Sequence, residues 1–111
     1  MVYTLKWSKG YAGNGEDVLK ILEKHLRKRE YPDIDKARAA ARRQVQFAVG
    51  FYEMAVLKDG KTIGWVVFDS QYRYGNARGI FWIPKGSNHE SARVKGVNTN
   101  GTLNNITYRL T

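Results

Sequence analysis

Residues 51–68 read FYEMAVLKDGKTIGWVVF, and they contain the strongest local signal in the chain. Asp59 and Gly60 stand between two apolar alternating runs. Asp-Gly is a preferred two-residue hairpin turn because both central positions need a positive φ. Counting outward from this turn places six apolar side chains on one face, in three cross-strand pairs: Tyr52 with Val67, Met54 with Trp65, and Val56 with Ile63. The sequence therefore predicts a β-hairpin whose apolar face belongs to the core.

Two helices are predicted before the hairpin. Residues 2–8 alternate as a strand does, and a glycine-rich break follows. Asn14 is a suitable N-cap for a first helix, whose apolar spacing continues to about Arg29. Asp33 is a suitable N-cap for a second helix. The sequence of residues 45–50 does not decide where this helix ends. The narrow apolar stripe of the second helix consists of Ile34, Ala37, Ala41 and Val45.

Further strands are predicted after the hairpin. Residues 80–83 form an apolar run that Pro84 stops, and residues 91–97 and 103–110 read as two final strands. No repeat, low-complexity stretch or proline-rich linker divides the chain, so residues 1–111 are expected to form a single domain. The predicted fold class is α+β. An N-terminal strand and two helices precede the remaining strands, and the helices pack on one face of a four- to six-stranded, mostly antiparallel sheet.

Charge is the strongest global signal. Nineteen Lys and Arg residues against ten Asp and Glu residues give a formal net charge of +9. A field of this sign attracts polyanions such as nucleic acid, an anionic membrane or an acidic protein surface. The chain has no cysteine, which excludes disulfides, thiol nucleophiles and thiolate metal sites, and its two histidines are too few for a His-only metal centre. We expect no metal and no cofactor.

No membrane contact is expected either. No apolar run approaches the length of a membrane span, and the N-terminal residues lack the apolar block of a signal peptide. The expected location is cytoplasmic.

Residues 71–85 interleave cations with aromatic rings, and residues 70–111 contain six basic residues and one acidic residue. Cations that track phosphates beside rings that stack on bases are the combination that holds nucleic-acid single strands. On a strand, Phe81 and Trp82 point to opposite faces, so one lies beneath the helices and the other on the far face, which is the candidate binding surface. The predicted contacts to nucleic acid or to a protein partner are Tyr72, Arg73, Tyr74, Arg78, Trp82, Lys85, Arg93 and Lys95.

A second candidate surface lies on the first helix. Its cations are suited to lie along a duplex backbone, although Glu16 and Glu23 stand four residues before two of them and compete for their charge. These cations are Lys20, Lys24, Arg27 and Lys28.

Three functions are compatible with these features. The favoured one is a small non-enzymatic module that binds RNA or DNA through a basic and aromatic sheet face. An alternative is a phage-type inhibitor or adaptor, with anti-defence or anti-CRISPR activity as examples, that docks on an acidic or nucleic-acid-binding surface of a larger host complex; Tyr, Trp and Arg dominate such interfaces. A second alternative is a metal-independent ribonuclease that uses His89 or Glu90 with Arg and Tyr side chains.

Overall fold

A computed structural model describes residues 2–46, 49–74 and 77–86, with the backbone alone for residues 71–74, 77 and 78. The elements along this part of the chain are β1 (Tyr3–Ala12), α1 (Leu19–His25), β2 (Glu30–Tyr31), α2 (Ile34–Val45), β3 (Gly50–Lys58), β4 (Lys61–Tyr74) and β5 (Ala77–Pro84). The strands pair antiparallel in the order β2-β1-β3-β4-β5, and both helices pack on one face of this sheet. The predicted α+β class is confirmed. The strands predicted over 91–97 and 103–110 lie outside the described residues.

The hairpin turn lies where the sequence predicts it, but the strand register beyond the turn differs from the predicted one. Asp59 and Gly60 have φ values of 50° and 83°, and Lys58 pairs with Lys61. A bulge then makes Ile63 an extra residue in β4. This shifts every later pair by one position. The predicted pairs are therefore wrong, and the observed ones are Tyr52 with Phe68, Met54 with Val66, and Val56 with Gly64.

The bulge divides the hairpin's apolar residues between the two faces of the sheet. Because side chains alternate along a strand, a shift of one residue moves Trp65 and Val67 away from the face that holds Met54. The helix-covered face contains Leu5, Trp7, Tyr52, Met54, Val56, Val66, Phe68, Ile80 and Trp82. The second face contains Ala55, Trp65, Val67, Phe81 and Ile83, each no more than 6% exposed. Both faces are buried, and Phe81 and Trp82 lie on opposite faces as predicted.

Helix α2 forms as its sequence predicts. The Asp33 carboxylate accepts a hydrogen bond from the backbone N–H of Lys36 at 2.8 Å, which satisfies one of the free donors at the helix start. The residues buried against the sheet are Ala37, Ala40, Ala41 and Val45. Because alanine side chains are short, the axis of α2 lies close to the sheet, and the longer side chains on its flanks reach the strands beneath.

Helix α1 is shorter than its apolar spacing predicts. It ends at His25, and Leu26 turns to an extended backbone and is buried. The following residues pair with β1, where the N–H of Leu5 donates to the carbonyl of Arg29 at 3.0 Å. Pairing with the sheet and burial of Leu26 therefore replace the last predicted turns of helix. Asn14 is not the N-cap: its side chain accepts from the N–H of Glu16, within the turn before the helix.

Strand β1 is longer than predicted. It continues past Ser8 through Gly10 to Ala12, with a bulge between Trp7 and Lys9. A Cβ at Gly10 would meet the end of the Leu22 side chain, on α1, which would have to shift to make room for it. The glycine thus allows α1 to lie directly on β1. Neither helix of the described residues has the length and apolarity needed to cross a lipid bilayer.

The cap of α2 provides a test of this part of the fold. Asp33→Ala removes the acceptor of the Lys36 N–H and should lower the free energy of unfolding by about 1 kcal/mol, measured by urea denaturation. Asp33→Asn is the matched control, because asparagine caps as well as aspartate does and should keep most of the stability. An Asn variant as unstable as the Ala variant would contradict capping by this hydrogen bond.

Candidate functional site

Of the eight predicted contact residues, the structure describes the side chains of Trp82 and Lys85 and the backbone of four others. Tyr72, Arg73 and Tyr74 lie at the end of β4, and Arg73 pairs through its backbone with Arg78, near the start of β5. Lys85 follows β5; its side chain is exposed, and its backbone N–H donates to the carbonyl of Ile63 at 3.0 Å. Arg93 and Lys95 lie outside the described residues, as do His89 and Glu90.

Trp82 does not lie on the far face of the sheet, where the sequence hypothesis needs its ring. It belongs to the helix-covered core and is 9% exposed. Which member of the Phe81–Trp82 pair faces the helices depends on the register of β4 against β5, where Val66 pairs with Trp82. A ring in this position has no free face on which a base could stack.

The Trp82 ring instead supports a cation from α2. The guanidinium carbon of Arg38 lies 4.8 Å from the centroid of the ring, within the range of a cation–π contact. Beneath the ring lies Gly64, where a Cβ would collide with the indole and would come within 2.8 Å of the carbonyl oxygen of Ile83. The missing side chain at Gly64 makes the space that the indole of Trp82 occupies.

Arg38 is half-buried, and its charge is only weakly compensated. Burial lowers the pKa of Arg38 from its ordinary value, and the negative charge of Asp35 offsets part of this effect. Asp35 does not form an ion pair with Arg38. Because the ordinary pKa of arginine lies far above neutral pH, Arg38 stays positively charged there.

Arg42 lies one helical turn after Arg38 and is half-buried too. Residues four apart on a helix are neighbours on its surface, so the two guanidinium groups lie on the same flank of α2. The Nε atoms of both are buried and have no hydrogen-bond partner. The cations of α2, here called the α2 cation cluster, are Lys36, Arg38, Arg42 and Arg43.

Among the described residues, no carboxylate forms an ion pair with the α2 cation cluster. Helix α2 itself carries one acidic residue, Asp35, against these four cations. An ion pair does join Arg29 to Glu23, at 3.3 Å and outside α2. The carboxylate of Glu23 also accepts from the backbone N–H of Trp7 at 3.0 Å, so this pair helps to dock α1 rather than to balance α2.

More cations lie on the same side of the sheet, in and after α1. Lys20, Lys24 and Lys28 are exposed, and the ammonium of Lys28 lies 5.0 Å from the centroid of the Tyr31 ring. Since α1 and α2 share one apolar cluster over the sheet, their cations belong to one helical layer, which we define as residues 19–45. This layer concentrates positive charge on one side of the molecule.

The α2 cation cluster is absent from the set of contacts predicted from sequence. The sequence feature that indicates this cluster is the placement of Arg38 and Arg42, four residues apart, beside a stripe of alanines. Alanines bring a helix close to its neighbour, so long basic side chains on its flank contact whatever aromatic residue lies below. The identity of that residue depends on strand register, which the sequence pattern predicts wrongly here.

Comparison with protein-family models, with curated proteins and with solved structures finds no match to this chain. Among the described residues, no group of three or more His, Cys, Asp or Glu side chains is arranged to hold a metal ion. The site is therefore argued from its own geometry and charge.

The contact between Trp82 and Gly64 can be tested by stability. Gly64→Ala should lower the free energy of unfolding by about 1–3 kcal/mol, because the added methyl group overpacks the space that the indole fills. The measurement is urea denaturation.

Trp82→Leu, alone and combined with Gly64→Ala, completes the double-mutant cycle. The Gly64→Ala penalty should shrink once the indole is removed, with a coupling of at least about 0.5 kcal/mol. Additive effects of the two substitutions would contradict the contact.

Proposed function

We propose that this protein binds nucleic acid through its phosphate backbone, with the α2 cation cluster as the centre of the binding surface. The net charge of +9 supports a polyanionic ligand. The cations of α1 extend the same surface, since both helices lie on one side of the sheet. The paired positions Arg73 and Arg78 mark a further basic stretch of sequence on β4 and β5.

The main support for this proposal is the position of Arg38 and the ion-pairing state of Arg38 and Arg42. Arg38 is held against the Trp82 ring, so part of the entropy that a long side chain loses on binding has already been lost in the free protein. Neither arginine forms an ion pair with a carboxylate in the part of the chain that the structure describes. A guanidinium is planar and binds phosphate oxygens through two parallel hydrogen bonds, which makes such side chains effective phosphate ligands.

The helical layer is favoured over the sheet face proposed from sequence. The second face of the sheet is buried, with Val67, Phe81 and Ile83 fully inaccessible. Trp82, one of the rings assigned to stacking, is covered by Arg38. A surface that binds a polymer must be accessible; Lys36 and Arg43 are exposed, and Arg38 and Arg42 are partly exposed on one flank of α2.

An acidic protein partner is the second candidate, and one observation disfavours it at α2. Protein interfaces are centred on buried apolar and aromatic anchors with charges at the rim. The large apolar side chains exposed within the described residues are Val2, Tyr11, Ile21 and Val49, and none lies in α2. An interface there would be almost wholly ionic, as contacts to a phosphate backbone are.

The ribonuclease hypothesis gains no support from the described residues. Its candidate groups, His89 and Glu90, lie outside them.

Binding should depend on the α2 arginines and on salt. The double variant Arg38→Gln/Arg42→Gln should weaken binding to duplex DNA by at least about tenfold at low salt. It should also make the slope of log affinity against log salt shallower by about 1.8, because two phosphate contacts are lost. Fluorescence anisotropy titrations at several salt concentrations give both values.

The matched control is Lys58→Gln/Lys61→Gln, which removes the same charge at the β3–β4 turn. It should change the affinity and the slope much less. Equal losses in both double variants would show that net charge alone drives the binding. Absence of wild-type binding to any DNA or RNA at low salt would refute the proposal.

The protein-partner alternative has a different signature. A single stoichiometric protein that stays bound after nuclease treatment and in high salt, and that is lost with Arg38→Gln/Arg42→Gln, would replace nucleic acid by an acidic protein as the ligand of this surface.

A further inference from the structure

We infer that the nucleic acid held at the α2 cation cluster is double-stranded. This inference rests on the proposed function and deepens it. It starts from how the aromatic rings are used: Arg38 lies over Trp82, Lys28 over Tyr31 at 5.0 Å, and Lys9 over Phe51 at 6.0 Å. In each pair the ring supports a cation of the protein itself.

Rings used in this way are not available to bases. Proteins that hold single strands gain about 1–3 kcal/mol for each base that stacks on an exposed ring. Trp82 and Tyr31, the rings beside the helical cations, are each 9% exposed. Among the described Phe, Tyr and Trp rings, the most exposed is Tyr11, at 41%, and it pairs with Phe51 on the face of the sheet opposite the helices. The described part of the helical layer therefore offers cations without an exposed Phe, Tyr or Trp ring, and its one exposed ring is the imidazole of His25.

The positions of the cations on α2 point the same way. At about 100° per residue, Arg38 and Arg42 lie on one flank of the helix, and Lys36 and Arg43 lie on the other, roughly 130° away. Two exposed residues, Ala39 and the acidic Asp35, lie between the two flanks. The cluster is thus two short rows of positive charge separated by the width of a helix.

A duplex presents the matching pattern, because two rows of phosphates face each other across each groove. The major groove of B-form DNA is about 12 Å wide, close to the 10–12 Å diameter of a helix with its side chains. A single strand presents one row. Two flanking rows of cations therefore fit the phosphates of two strands, with recognition of the backbone rather than of stacked bases.

The test compares strands of the same sequence with the full-length chain. Fluorescence anisotropy measures the affinity for a short DNA duplex, for each of its separate strands and for the RNA duplex of that sequence, at matched salt. We expect at least one duplex to bind about tenfold more tightly than either single strand, with a salt slope near −0.9 per phosphate neutralised. Comparison of the DNA duplex with the RNA duplex shows whether the protein prefers the B-form or the A-form backbone.

A second pair of variants tests the two flanks. Lys36→Gln/Arg43→Gln and Arg38→Gln/Arg42→Gln should each weaken duplex binding and leave the weaker single-strand binding less affected. Lys58→Gln/Lys61→Gln is again the control of equal charge. Since all these positions are at least partly exposed, circular dichroism should show that the variants keep the fold.

The outcomes separate this inference from the proposed function. Single strands that bind as tightly as the duplexes would overturn the inference while the proposed function stands. The inference would also be overturned if the double variant of one flank lost duplex binding and the double variant of the other flank did not. No binding to either form would overturn the proposed function itself.

Discussion

The extra residue in β4 determines the layout of this molecule. With Ile63 bulged, Gly64 falls opposite Val56 on the helix-covered face, and the Trp82 indole lies over the position where a side chain would stand. A strand without the bulge would turn each later residue of β4 to the other face. Trp82 would then meet a different neighbour, and Arg38 would lose the ring that holds it.

The arrangement around this ring joins the core to the surface. Below it, glycine provides space; above it, a row of alanines lets α2 approach closely enough for an arginine to reach the indole. The same close approach half-buries two cations that have no carboxylate partner among the described residues. Burying a charge without such a partner costs stability.

Local signals in the sequence predict local structure well here. Asp59-Gly60 marks the turn and Asp33 marks the start of α2, because a positive φ and a capping acceptor are properties of single residues. The bulge at Ile63 is marked only by the glycine that follows it, which indicates a bulge or a close approach without giving the register. The face of Trp82 was therefore not predictable from alternation. The end of α1 was missed for a similar reason: the burial of Leu26 and the pairing of the next residues with β1 are tertiary interactions. For the candidate site, the sequence predicts basic side chains and aromatic rings near one another. It does not predict that they meet at α2.

The brevity of α1 bears on the order in which the chain assembles. Seven residues are too few for a helix to persist alone in water, because the first turn is costly to nucleate. Its first backbone contacts reach back to β1, with the Val18 N–H donating to the Gly10 carbonyl at 2.9 Å, and the Glu23 side chain binds the N–H of Trp7. Helix α1 therefore depends on contacts with β1 for its stability, and we do not expect it to form ahead of the sheet.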